Sequence, residues 1–284
     1  MITARWARIF SIIVLSSAGF MAVLCHASAA QESAAQTEQT AKDKIVVKRS
    51  FKAGTNDYYR LHIATKMNGP QTGNADAETV LDLTYRETVK DIAENGQVTL
   101  EQEFLKAKGT NEGGTQDLIS QLPRLIIKRD AKGHVDIISD GGAAAYSALI
   151  VSTMKQLLHG QAALYPKASV KVGDTWKPDN ILLITDNGTA VKETVKFDGL
   201  ESKIAPNSIR LKATSDISSG PPQDTHMKSE LTAIVSAEDG KVFKLTSAGE
   251  GTALGGSLHT NVLLETITEA QSKEGDAKPA DAPK

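Results

Sequence analysis

The sequence predicts a mainly β protein, with curved antiparallel sheet arranged as a sandwich or a half-open barrel and one amphipathic helix. Three observations lead to this fold class: apolar and polar residues alternate along several segments, short turns separate these segments, and a single segment has helical spacing. Alternation with a period of two is typical of strands with one buried face and one face in water, as in antiparallel sheets.

The alternation is clearest in four segments, residues 81–90, 97–104, 191–197 and 209–214, where apolar residues occupy every second position. Turns such as Glu94-Asn95-Gly96 contain residues that tolerate positive φ and suit tight hairpins. Counted in this way, the chain holds at least ten strands.

The helical segment covers residues 142–160. Its apolar residues recur every three or four positions, at Tyr146, Leu149, Ile150, Met154, Leu157 and Leu158. This spacing predicts one amphipathic helix from about residue 142 to residue 159, closed by Gly160 and packed against a sheet.

Residues 1–30 have the pattern of a secretory signal peptide. Arg5 and Arg8 precede an apolar run from Ile9 to Leu24, and small residues from Ala27 to Ala30 follow. The run is shorter than the ~20 residues that span a bilayer, so no transmembrane segment is expected after cleavage. The sequence therefore predicts a secreted or periplasmic bacterial protein.

Cys25 leaves an alternative open, because a lipoprotein signal also ends in cysteine; here Leu24 stands where that signal has a small residue. After cleavage at residue 30 the chain contains no cysteine, which excludes disulfides, a thiol nucleophile and cysteine-based metal sites. Loss of Arg5 and Arg8 changes the net charge from −2 to −4. A mildly acidic chain with no basic block argues against nucleic acid as a partner.

The remaining chain divides into five segments. Residues 31–43 and 271–284 are polar and lack large apolar side chains, so we expect a disordered tether and a disordered tail. Between them we expect a first β unit at 44–141, the linking helix at 142–160 and a second β unit at 161–270.

The two β units share an order of features that suggests an internal duplication. Matched points are Gly54 with Gly173, Asn95 with Asn207, and Gly133 with Gly240, at separations of 119, 112 and 107 residues. A duplication followed by a few deletions would produce this drift. Chance similarity between two β-rich segments is the alternative.

The run YPKASVKVGDTWKPD, from Tyr165 to Asp179, allows two interpretations. In the architectural one, the Gly-Asp pair forms a turn and Trp176 covers the end of the sheet. In the functional one, Trp176 and Tyr165, with Tyr146 of the helix, line an apolar pocket that binds a ligand.

The PxxxVKVGDTW run, with a D-x-x-G-x-V hairpin upstream of it, resembles an uncharacterised family of secreted or lipid-anchored bacterial domains of unknown function. The resemblance implies a protein of the bacterial envelope and carries no catalytic residues. The general plan of curved strands with a helix is also similar to periplasmic lipoprotein carriers, a likeness of fold that no motif supports.

No catalytic, cofactor-binding or metal-binding motif is found, and no two of the histidines after residue 30 have the spacing of metal ligands. The sequence therefore favours a non-catalytic binding or structural module without a cofactor. Its expected partner is an envelope protein or a hydrophobic small molecule. The alternatives are a carrier that holds a lipid in a β cavity covered by the helix and, third, a hydrolase of unrecognised type.

Overall fold

The structure is a computed structural model and describes residues 44–73, 75–130, 135–142, 144–178, 190–219 and 225–274. The predicted signal peptide, Cys25 and the tether at 31–43 lie outside these residues, as does most of the predicted tail.

Twelve antiparallel strands form one open, curved sheet, which confirms the predicted fold class. The strands are β1 (Asn56–Asn68), β2 (Asp76–Ile92), β3 (Val98–Asn111), β4 (Gly114–Asp117), β5 (Arg124–Arg129), β6 (Val135–Asp140), β7 (Thr175–Trp176), β8 (Ala190–Leu200), β9 (Ser208–Ser219), β10 (Thr225–Ser236), β11 (Val242–Ala253) and β12 (Gly256–Ile267). All four alternating segments fall in strands, namely β2, β3, β8 and β9, apart from Gln97, which directly precedes β3.

Strands of the two predicted β units belong to the same sheet, in the order β6-β5-β3-β2-β1-β12-β11-β10-β9-β8-β7, with β4 paired to β3. The first strand and the last strand meet in the middle, where Tyr58 lies opposite Ile267 and Asn68 opposite Ser257. Eleven consecutive residue pairs hold this junction, so it is as extensive as the hairpin pairings around it.

The predicted helix is present with different bounds. Helix α1 spans Ala144–Ala163, so it begins two residues later than predicted and continues through Gly160. Gly160 costs a helix about 1 kcal/mol, but the residues after it, Gln161 to Ala163, include two alanines, which favour helix most strongly. Ile150, Met154, Leu157 and Leu158 are buried in the core, whereas the side chains of Tyr146 and Leu149 lie outside the described part of the structure.

The predicted tail needs a correction at its start, because helix α2 spans Glu269–Lys273. Thr268 caps it: its hydroxyl accepts a hydrogen bond from the Gln271 backbone amide at 3.2 Å, and the Gln271 side chain accepts one from the Thr268 amide at 2.8 Å. This reciprocal capping box stabilises a helix whose sequence lacks a large apolar face.

One face of the sheet, which we call the inner face, is buried together with α1. Alternate residues of nearly every long strand contribute to a single large cluster, which includes Tyr85, Phe197 and Ile127. Where the structure describes the chain, no helix is long and apolar enough to cross a membrane.

The two β units begin with the same turn. Gly54 donates its N–H to the carbonyl of Val89 at 2.8 Å, and Gly173 donates to the carbonyl of Phe197 at the same distance. Both glycines have positive φ, +80° and +93°. Val89 lies in β2 and Phe197 in β8, which are matched strands under the predicted duplication. The duplication itself stays a prediction.

Candidate functional site

The predicted ligand-binding residues lie on different elements. Trp176 ends the two-residue strand β7, and Tyr165 follows α1; both are half-buried and pack against the main core. The Tyr165 hydroxyl donates a hydrogen bond to the carbonyl of Gly240 at 2.7 Å, and burial raises the pKa of this phenol. Tyr146 lies in the first turns of α1, with its side chain outside the described residues.

A cluster of charged residues occupies the interior beside the first of the two turns. The Arg49 guanidinium binds Asp57 at 3.1 Å and Asp239 at 3.5 Å, and Lys241 also binds Asp57. The same guanidinium lies over the ring of Phe51, 4.5 Å from its centroid. These contacts fix the segment that precedes β1 to the β10–β11 turn.

Glu87 of β2 and Arg129 of β5 extend this cluster into the core. Glu87 is 7 % exposed and accepts a hydrogen bond from the Gln102 amide at 2.9 Å. Burial raises the pKa of Glu87, while the Gln102 hydrogen bond and the charge of Arg49 oppose that rise. Burial also lowers the pKa of Arg129.

A cavity of about 10 Å³ lies between these residues, which is room for about one water molecule. Its walls are Arg49, Phe51, Tyr59, Tyr85, Glu87, Leu100, Arg129, Leu158, Gln161 and Val242. A volume of this size cannot hold an acyl chain. The cavity also has charged walls, whereas a lipid carrier would have an apolar cavity next to α1. We assign it a structural role.

A second set of buried residues forms a line across the inner face, with one polar residue from each of β8, β9, β10, β12, β1 and β2 and a glycine from β11. In sheet order from β8 to β2 they are Glu193, Ser215, Ser229, Gly249, Thr260, Thr65 and Thr79, and we call them the polar row. Neighbouring members lie directly opposite each other in register. The register of β9 and β10 is the same at both ends of that pair, which places Ser215 opposite Ser229.

Several side chains of the polar row have no hydrogen-bond partner within the described residues. They are both carboxyl oxygens of Glu193 and the hydroxyls of Ser215, Ser229 and Thr260. An unsatisfied buried polar group costs about 1–3 kcal/mol, and a charged one costs more. Burial alone raises the pKa of Glu193 to about 8, so the carboxyl is mainly protonated at neutral pH.

Apolar residues border the polar row on both sides. On one side Val195, Ala213 and Leu231 belong to the main core. On the other side Met227 and Leu258 form, with Ala253, a separate buried cluster that we call the satellite cluster. The polar row thus separates two apolar surfaces on one face of the sheet.

Strand β11 crosses the polar row with small residues only. Ser247, Gly249, Gly251 and Ala253 follow each other on its inner face, and we call them the β11 strip. At a rise of about 3.4 Å per residue the strip is roughly 20 Å long. Ser229 and Thr260 stand beside Gly249 on the neighbouring strands, so their unsatisfied hydroxyls flank the middle of the strip.

The two buried carboxyl groups, Glu87 and Glu193, were not among the predicted site residues, although each has a recognisable signal in the sequence. Residues 85, 87 and 89 are Tyr, Glu and Val, so Glu87 takes an apolar position of the alternating pattern. Glu193 takes the same kind of position between Val191 and Val195. A charged residue in phase with the apolar face of a strand is expected to point into the core. Arg49 had no such signal, because it lies outside any strand.

Across the described segments, no group of three or more His, Cys, Asp or Glu residues could hold a metal ion. Three histidines of these segments each pair with one carboxylate, His62 with Asp82 at 2.6 Å, His226 with Asp216 and His259 with Glu250.

The sequence matches no protein-family model and no curated protein. Among solved structures, a match is found to lipovitellin, in a structure that concerns lipid–protein interactions in that protein. The sequence identity is 11% and the TM-score is 0.49, and the match covers 82% of this chain and 27% of the lipovitellin chain. DynF from the dynemicin biosynthesis pathway of Micromonospora chersina matches at 8% identity and a TM-score of 0.22, over 88% of this chain and 98% of that one. This chain therefore spans about a quarter of the lipovitellin chain, and likeness this distant indicates no function.

Proposed function

We propose that this chain is a non-catalytic binding module that holds an amphipathic small molecule against the inner face of its sheet. The observation that carries the proposal is the β11 strip, where a line of small residues passes between two unsatisfied, fully buried hydroxyls. The export pattern of residues 1–30 favours the bacterial envelope as its location.

The arrangement suits a molecule with an apolar body and a polar group. Only small residues stand on this part of β11, and the apolar satellite cluster lies beside them. Hydroxyls of Ser229 and Thr260 would gain hydrogen bonds from a polar group bound at Gly249. Ligand sites combine these two features, a mostly apolar lining with a few convergent polar groups.

A hydrolase is supported less well. The polar row contains serine hydroxyls and a carboxyl group but no histidine, so a base that could activate a serine is missing from it. Ser215 lies opposite Glu193, whose mainly protonated carboxyl is a poor base at neutral pH.

The test is a titration of the purified protein with the hydrophobic dye N-phenyl-1-naphthylamine. We expect saturable binding of one dye molecule per chain. The Ser229→Leu variant places a large side chain beside Gly249 and should weaken binding about tenfold or more, a change that corresponds to about 1.4 kcal/mol.

Glu230→Leu is the matched control, because Glu230 is the next residue of β10 and is exposed on the opposite face. It should leave dye binding unchanged. Dye binding that does not saturate, or that responds equally to Ser229→Leu and Glu230→Leu, would overturn the proposal.

A further inference from the structure

We infer that the polar row selects ligands by their head group, and that Glu193, with Ser215 and Ser229, binds a hydrogen-bond-donating head, best of all an ammonium group. This inference rests on the proposed function and adds the chemical class of the ligand. Its basis is the composition of the row at β8, β9 and β10, where neighbouring strands are about 4.8 Å apart.

Hydrogen-bonding capacity at this end of the row is dominated by acceptors. A protonated carboxyl has one O–H donor beside several lone pairs, an ionised carboxylate has acceptor sites only, and each hydroxyl has two lone pairs but a single proton. Both oxygens of Glu193 and the hydroxyls of Ser215 and Ser229 are unsatisfied among the residues that the structure describes. A head group that donates several hydrogen bonds would satisfy these acceptors, and an ammonium group donates three.

Electrostatics favour the same class of ligand. Glu193 is 7 % exposed, and its environment includes no described charge that alters its ionisation, because burial is the single cause of its pKa shift. A cation bound beside it would stabilise the ionised form, whereas an anionic head would meet an acceptor-rich and partly ionised site. The apolar part of the ligand would then lie on the side of the polar row where the satellite cluster stands.

The experiment compares dodecylamine, dodecanol and dodecanoate, each below its micelle concentration, as competitors that displace the bound dye. The three compounds share one tail and differ in the head. For the wild type we expect dodecylamine to bind about tenfold or more tightly than dodecanoate, with dodecanol between them.

Glu193→Gln keeps the size and one acceptor oxygen but removes the ionisable group. We expect it to bind dodecylamine and dodecanol equally, with each affinity calculated from the dye affinity measured for the same variant. Lys192→Gln is the control, because Lys192 is the preceding residue of β8 and is exposed; it should keep the wild-type preference. If Glu193→Gln does not fold, Glu193→Leu provides a second variant with an uncharged, apolar side chain.

Proton release gives a further readout. Because the carboxyl is mainly protonated before binding and ionised beside an ammonium group, the wild type should release up to one proton per dodecylamine bound at neutral pH. Titration calorimetry in two buffers of different ionisation heat measures this number, and Glu193→Gln should release none.

Equal binding of the three compounds, or unchanged selectivity and proton release in Glu193→Gln, would overturn this inference and leave the proposed function intact. Failure of the dye itself to bind would instead overturn the proposed function.

Discussion

Gly54 and Gly173 occupy the same position in two copies of one turn, 119 residues apart. Each glycine donates its N–H to a backbone carbonyl of a long strand that lies further along the chain, Val89 of β2 for Gly54 and Phe197 of β8 for Gly173. In each case that strand residue donates in return to the residue after the glycine, Val89 to Thr55 at 3.0 Å and Phe197 to Asp174 at 2.9 Å. The side chains around the two turns differ, so the similarity lies in the backbone.

The backbone conformation should make both glycines costly to replace. A Cβ atom added at Gly54 or Gly173 would meet no other atom within 4 Å, so the cost comes from positive φ alone. We expect Gly54→Ala and Gly173→Ala each to lower the free energy of unfolding by about 1–2 kcal/mol, and Gly173→Val by more. Urea denaturation measures these values.

Asp174→Asn is the control for the second turn. Asp174 accepts a hydrogen bond from the Lys171 amide at 3.1 Å, and asparagine keeps an oxygen at that position. It should change stability by less than about 0.5 kcal/mol. If Gly173→Ala has the same free energy of unfolding as the wild type, positive φ at this turn does not require glycine.

Trp176 should contribute to stability through its contact with the main core. Replacement of a buried tryptophan by alanine costs about 3–5 kcal/mol, and because Trp176 is half-buried we expect about 3 kcal/mol for Trp176→Ala. The exposed neighbour Lys177, changed to alanine, should have almost no effect. A thermal melt of Trp176→Ala that matches the wild type would rule out the architectural role and favour a ligand pocket.

Trp176→Phe separates the ring from its polar atom. The indole N–H of Trp176 is buried and has no acceptor among the described residues, so its loss removes an unsatisfied group. We expect a smaller cost, below about 1.5 kcal/mol, since an aromatic ring still covers the core.

Glu193 should make the protein less stable as the pH rises. Its pKa is raised to about 8 in the folded state from the ordinary 4.5, so the folded chain keeps a proton that the unfolded chain has lost. The stabilisation is complete below the unfolded pKa and decreases as the pH rises toward the folded one, by up to about 1.4 kcal/mol per pH unit.

The difference between wild type and Glu193→Gln isolates this effect, because other titrating groups are common to both. Urea denaturation at several pH values between about 5 and 8 should show the variant gaining stability relative to the wild type as the pH rises. A difference that stays constant over this range would mean that Glu193 ionises normally in the folded protein.

Arg49 and Asp57 should show energetic coupling. Their 3.1 Å ion pair is well buried, with side-chain exposures of 10% and 17%. In a double-mutant cycle with alanine at both positions we expect a coupling energy of about 1–3 kcal/mol. Lys66 and Glu78, an exposed pair 3.7 Å apart on β1 and β2, serve as the comparison and should give less than about 1 kcal/mol. If the two pairs have equal coupling energies, burial does not strengthen the Arg49–Asp57 ion pair.

The fold could be predicted from the sequence because each strand carries its own evidence. Alternation in residues 81–90 or 209–214 is local and identifies a half-buried strand without knowledge of its neighbours. Strand order is not local: the pairing of β1 with β12 joins residues about two hundred positions apart, so the sequence could not distinguish a sandwich from one continuous sheet.

The candidate site was predicted less well for a related reason. Trp176 and Tyr165 stand out in a sequence with few aromatic residues, whereas Ser215, Ser229 and Thr260 are common residues whose alignment depends on the strand register. Glu193 carried the one local signal, a charge in phase with apolar neighbours. Only the strand register shows that these polar residues stand side by side in the polar row.

The central pairing of β1 with β12 has a consequence for how the chain acquires its structure. During synthesis β1 emerges first and β12 last, so the middle of the sheet can close only when nearly the whole chain is available. Before that pairing forms, any sheet built in either half would have an unpaired edge at its inner end, β1 in one half and β11 in the other. Pairing over so long a sequence separation slows folding, and exposed edges favour association between chains. A circular permutant that links the end of β12 directly to β1 would convert this distant pairing into a hairpin, and it should refold faster than the natural order with the same final sheet.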